Sequence, residues 1–108
     1  MRTPQEIHDA KYFFNFFKRI PNYRWCPGRL NGSYEKKCAL GHLGIKDYNV
    51  LTNDAERLAY LFNGENGWRG LEVIYHCNDS CRKIGRTFVC NPKRNILRKL
   101  ARIIKNKE

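Results

Sequence analysis

The sequence predicts an α+β fold that is mostly helical, with three to four helices and one minor β element packed in a single domain over residues 1–108. Three observations carry that prediction. Helix starts are marked by capping residues and proline, apolar residues recur at steps of three and four, and only two short runs are rich in β-branched and aromatic residues. A chain of 108 residues is one domain by size, and 42% apolar with 13% aromatic residues is enough for one core.

Thr3-Pro4-Gln5-Glu6 opens the first helix, with a capping Thr, a first-turn Pro and a Glu three residues after the cap. Ile7, Ala10, Phe14, Phe17 and Ile20 form its apolar stripe, and Pro21 stops it. Pro21 to Ser33 is turn-rich and holds Tyr23 and Trp25, which predicts an ordered loop anchored by aromatics. Lys37 to Ile45 reads as a short buried helix in which Gly41 permits close approach of another backbone. Asn53, with Glu56 three residues on, caps a further helix whose Ala55, Leu58, Ala59 and Phe62 face inward and which ends at Asn63-Gly64. Leu71 to Tyr75 has the composition of a short strand, with a partner expected near Arg86 to Cys90.

The last helix is capped by Asn91, begins at Pro92 and carries Ile96, Leu97, Leu100, Ile103 and Ile104 on one face. At 100° per residue these span an arc of about 120°, while Arg94, Arg98, Arg102 and Lys105 share a separate arc about 80° wide. Arg at spacings of four destabilises a helix by about 0.2–0.5 kcal/mol per pair, so the stripe either is a solvated face favoured by the helix dipole or has a use.

Charge sharpens the choice. The chain has 21 Lys and Arg against 10 Asp and Glu, a formal net charge of +11. Residues 1–36 hold 7 basic and 3 acidic side chains, residues 37–72 hold 4 and 5, and residues 73–108 hold 10 and 2. Arg82 to Lys107 contains no acid. Solubility alone does not require such segregation, and a phosphate or acidic-surface footprint is the functional reading beside the solvated face. The expected phosphate- or partner-binding residues are therefore Arg82, Lys83, Arg86, Arg94, Arg98, Lys99, Arg102 and Lys105. The partner is expected to be RNA or a nucleoprotein complex, with an acidic protein surface as the other candidate. Tyr12, Tyr23, Trp25, Tyr34, Trp68 and Tyr75 are the candidates for base stacking.

No run of about eighteen apolar residues exists, so no membrane span is expected. Asp9, Lys11 and Asn15 interrupt the cluster Tyr12-Phe13-Phe14, so no export signal is read and a cytoplasmic location is expected. The odd count of five cysteines favours reduced thiols over a disulfide framework. Cys77 and Cys81 are the only cysteines spaced as zinc ligands, and no second pair follows, so no metal or other cofactor is expected; a zinc-stabilised module is a minor alternative. The other alternative is a thiol enzyme. Cys38 would begin a helix whose dipole lowers its pKa, with His42 one turn on, or with His76 and Asp79 as base and orienter.

Trp25-Cys26-Pro27-Gly28, Cys38-Ala39-Leu40-Gly41-His42, Asn78-Asp79, the Gly85-Arg86-Thr87 turn and Asn91-Pro92 opening the last helix together resemble an uncharacterised domain family of bacteria and their phages. The resemblance runs from Trp25 to the carboxyl end. It assigns no catalytic residue, and its positions suit a folding signature of aromatic anchor, close-packed helix and Asx turn. Phe88-Val89-Cys90 departs from the pattern as an insertion before the last helix. Small basic proteins of phage-linked families often act on a larger host machine, CRISPR inhibitors among them, so the resemblance implies a binding protein directed at an RNA-guided nuclease or its guide RNA.

Overall fold

Capping chemistry sets both long terminal helices where the sequence places them. The computed structural model describes residues 2–27, 36–46, 52–63 and 68–106. In α1 (Pro4–Lys18) the Thr3 hydroxyl accepts from the Glu6 amide at 3.2 Å, and in α5 (Pro92–Ile104) Asn91 Oδ1 accepts from the Arg94 amide at 3.1 Å. Each side chain satisfies one of the amides that a helix start leaves without a partner. Between these helices lie a 3-10 turn (Asn22–Arg24), α2 (Ala39–His42), α3 (Asn53–Asn63), α4 (Trp68–Asp79), β1 (Cys81–Ile84) and β2 (Thr87–Cys90). The architecture is thus the expected mostly helical α+β type. The Cα radius of gyration of 13.4 Å is that of one globule, against about 13 Å expected for this length. Among the described residues no helix is long and apolar enough to cross a membrane.

The core is built on α1. Ala10, Phe13 and Phe17 are fully buried, as are Ile96, Leu100 and Ile103 of α5, against which α1 packs. The buried line runs through Phe13 rather than the expected Phe14, which is half-buried at the edge. Helix α4 packs on α3, α5 and α2 at once. That position explains why residues 71–75 are helical and not the expected strand. Leu71, Ile74 and Asn78 bury one face at steps of three and four, Val73, Tyr75 and Cys77 pack at the flanks and Glu72 and His76 are exposed, so a five-residue window is too short to tell this helical period from a strand pattern.

The β element lies ten residues later. β1 pairs antiparallel with β2 in the register Cys81↔Cys90, Arg82↔Val89, Lys83↔Phe88, Ile84↔Thr87. Gly85, at φ +62°, occupies the first position of the two-residue turn and Arg86 the second, as a type II′ hairpin requires. The partner strand expected near Arg86 to Cys90 is therefore present as β2, but its mate is β1. Phe88-Val89-Cys90, the departure from the family pattern, is most of β2. The register sets Cys81 opposite Cys90, with Cα atoms 4.2 Å apart, and the two form a disulfide. This corrects the expectation of reduced thiols throughout: a hairpin closes a pairing that cysteine parity cannot reveal. Cys26, Cys38 and Cys77 carry no disulfide.

Two local details also differ from expectation. Thr52, not Asn53, caps α3: its hydroxyl accepts from the Ala55 amide at 3.2 Å and donates to the Leu43 carbonyl at 3.0 Å, tying α3 to the end of α2. Trp25 anchors its loop as expected, buried with its indole N–H 3.3 Å from the Ile20 carbonyl, but Tyr23 is 66% exposed. Helix α2 is closed by Gly44 at φ +89°, with the Ile45 amide on the Leu40 carbonyl and the Gly44 amide on that of Gly41. This pairing of the last carbonyls lets a helix of one turn persist. Gly28, Tyr34, Gly64 and Lys107 lie outside the described residues.

Candidate functional site

Helix α5 turns its apolar side to α1 and α4 and therefore presents Arg94, Arg98, Arg102 and Lys105 to solvent, all four exposed. With a rise of 1.5 Å per residue the row is about 16 Å long and its arginines stand about 6 Å apart. Lys99 is half-buried, with its ammonium 5.8 Å from the Phe62 ring centroid, and so leans toward α3 rather than joining the row. Among the described residues, ion pairs join Arg2 to Glu6 and Arg57 to Asp9 and Asp54, all on the α1 and α3 side; none engages Arg82, Lys83, Arg86, Arg94, Arg98 or Arg102. Glu6, Asp9 and Asp54 are thus taken up locally, and the carboxyl-terminal cations of the row keep their charge for solvent or a partner.

The hairpin continues this surface. Every residue from Cys81 to Cys90 is exposed, including Arg82, Lys83 and Arg86. Its foot is fixed to α5 by Asn95, whose side-chain amide donates to the Ser80 carbonyl at 2.7 Å and the Asn78 carbonyl at 3.4 Å. The Cys77 thiol donates to the Asn95 carbonyl at 3.5 Å at the same junction. A groove of about 280 Å³ opens there, lined by Cys77, Ser80, Asn95, Arg98, Lys99 and Arg102, so the foot of the hairpin adjoins the helix cations. On the other flank of Arg98 a second groove of about 390 Å³ is floored by Phe14, Leu97 and Ala101 and edged by Lys93 and Arg94.

The sequence pointed to the cations but not to the apolar side chains among them. Phe88 is 68%, Ile84 53% and Val89 45% exposed. The available signal was Gly85-Arg86 between two four-residue runs bounded by cysteines, a hairpin spacing. Of the stacking candidates, Tyr12 and Tyr23 are exposed, Trp25 is buried, and Tyr75 is half-buried against His76 with ring centroids 4.5 Å apart.

The motif residues at Trp25, Cys26, Cys38, Ala39, His42, Asn78 and Asp79 do converge, and what they build is an interior joint. Asn78 is fully buried; its Oδ1 accepts from the Ala39 amide at 3.0 Å and its amide group donates to the Cys26 carbonyl at 3.2 Å and to Asp79 Oδ1 at 2.8 Å. It therefore caps α2 across the fold instead of forming the local Asx turn. His42 Nε2 donates to the Arg24 carbonyl at 2.9 Å, and its ring lies on Trp25 with centroids 4.9 Å apart. Burial holds the His42 pKa below its ordinary value.

Cys38 is 3% exposed, and burial pushes its thiol pKa up against the lowering effect of the Gly41 and Leu40 amides. The dipole effect expected of a helix start is thus outweighed by desolvation. Alkylation of Cys38 in the folded protein near neutral pH is expected to be at least about tenfold slower than that of a free thiol; mass spectrometry of an iodoacetamide time course measures it. Among the described residues no three His, Cys, Asp or Glu side chains gather as a metal set. The Cys77 and Cys81 spacing is not used as a pair, since Cys81 is bonded to Cys90 and Cys77 faces Asn95.

No family model, curated protein or solved structure matches the chain. The functional reading accordingly stands on the residues and their geometry.

Proposed function

We propose that this protein is a nucleic-acid-binding protein that holds the phosphates of a nucleoprotein partner along α5 and the hairpin. The observation that carries the reading is the row Arg94, Arg98, Arg102 and Lys105, exposed, in line and outside every ion pair found among the described residues. A linear array of like charges suits a linear polyanion, and Arg forks pair with phosphate oxygens bidentately. The motif resemblance implies the more specific form, an inhibitor of an RNA-guided nuclease acting in a bacterial cytoplasm. That compartment keeps thiol pairs such as Cys81 and Cys90 reduced. The type II′ turn and the strand ladder then hold the hairpin register.

Binding through the four cations of the row predicts a log–log salt slope of about −3 to −4, which weakens affinity about 100-fold between 50 and 200 mM salt. Fluorescence anisotropy with labelled nucleic acid over that range measures the slope. A slope shallower than about −1 defeats the reading.

A further inference from the structure

The hairpin carries more than charge. Ten consecutive exposed residues contribute nothing to the core, yet they include Ile84, Phe88 and Val89, three of the six large apolar side chains that are exposed among the described residues. Exposed apolar side chains are a liability unless a partner covers them. The ribbon that displays them is held at its foot by the Asn95–Ser80 bond, at its tip by the Gly85 turn and along its length by the strand ladder.

Strand alternation sorts the side chains. Lys83 and Phe88 share one face, with the Lys83 ammonium 6.0 Å from the Phe88 ring centroid. Arg82, Val89 and Ile84 share the other. Each face therefore carries both a cation and apolar surface. A membrane surface would cover one face, with apolar residues on that side and cations on the opposite one. A single strand lying over Phe88 would leave Val89 and Ile84 in water. A groove covers both faces at once.

We infer that the hairpin enters the major groove of a B-form DNA duplex while the arginines of α5 hold the flanking phosphates. This inference rests on the nucleic-acid reading above and names the form of nucleic acid. The major groove of B-DNA, about 12 Å wide and about 8.5 Å deep, admits a two-stranded ribbon. Four residues per strand reach about 13 Å, enough to span that depth. The A-form major groove of duplex RNA is too deep and narrow for side chains to read. In the groove Phe88, Val89 and Ile84 meet thymine methyl groups and sugar edges, and Arg82, Lys83 and Arg86 meet phosphates or guanine edges.

The test is anisotropy of the full chain with four labelled probes at equal salt: a DNA duplex of about two helical turns, either of its single strands, an RNA duplex of the same sequence, and phosphatidylcholine vesicles containing phosphatidylserine. Wild-type protein is expected to bind the DNA duplex at least about tenfold more tightly than the single strand or the RNA duplex. Phe88→Ser/Val89→Ser keeps every cation, and it is expected to lose that preference, about tenfold in duplex affinity, with the salt slope and melting temperature unchanged. Wild-type preference for the single strand or RNA duplex overturns the inference, as does equal binding of the duplex by the two proteins. A hairpin-dependent loss confined to vesicles overturns it as well. Salt-dependent but unselective binding removes this inference and leaves the proposed function standing, whereas no salt-dependent binding to any nucleic acid removes both.

Discussion

The Arg94→Glu/Arg98→Glu/Arg102→Glu protein is expected to bind nucleic acid at least about 100-fold more weakly than wild type at low salt, with its salt slope reduced by about 3. Three phosphate contacts are removed, and three carboxylates repel the polyanion in their place. Folding should be nearly unaffected. All three side chains are exposed and pair with no acid among the described residues, so no native contact is broken. Repulsion at steps of four persists with the sign reversed, Glu at position 94 gains from the helix start, and Glu at position 102 loses near its end. Each dipole effect is about 0.3–1 kcal/mol and the two oppose one another. A melting temperature within about 5 °C of wild type, together with lost binding, assigns the row to the partner. Normal binding by this variant identifies the row as a solvated face. Lys11→Glu/Lys46→Glu, exposed on other elements, shows how far lowered net charge by itself weakens binding and should cost less than about tenfold.

Asn78→Ala is expected to have the opposite profile, a severe loss of stability with no direct effect on binding. The substitution leaves the Ala39 amide and the Cys26 carbonyl without the partners they have at 3.0 and 3.2 Å in a fully buried site. Each unsatisfied buried group costs about 1–3 kcal/mol, and the vacated volume adds to that. A total near 3–5 kcal/mol is a large share of the 5–15 kcal/mol that holds a typical domain together. The melting temperature is expected to fall by about 12 °C or more. Thermal denaturation followed by circular dichroism measures it. A fall below about 4 °C would mean that water replaces the lost bonds and that Asn78 is not the joint of α2, α4 and the loop at Cys26.

These two residue sets show how differently legible the parts of the molecule are. The Arg row could be placed on one side of a helix from spacing alone, because residues four apart share a face wherever the helix sits. The Thr3 and Asn91 caps were legible for the same reason: both bonds span three residues. Asn78 stands in a short motif whose local reading is an Asx turn. Its partners lie 39 and 52 residues away, and no local pattern encodes them. Leu71 to Tyr75 reads as a strand because five residues cover little more than one turn, too few for the exposed pair Glu72 and His76 to mark a helix. The zinc and thiol alternatives rest on spacing, whereas the fold joins Cys81 to Cys90, turns Cys77 to the Asn95 carbonyl and buries Cys38.

Local chemistry therefore settles a mostly helical chain, the starts of its first and last helices, and an acid-free cationic carboxyl region whose arginines line up on α5. Those features follow from interactions within about four residues, the range over which sequence and geometry are directly coupled. Packing alone decides that Lys99 lies over the Phe62 ring, that Asn95 fixes the hairpin to α5, and that Phe88, Ile84 and Val89 stand in solvent beside the cations. Those outcomes depend on which surfaces the helices bury against one another. That choice is made by the whole core at once, where a residue's neighbours are set by topology rather than by its place in the chain.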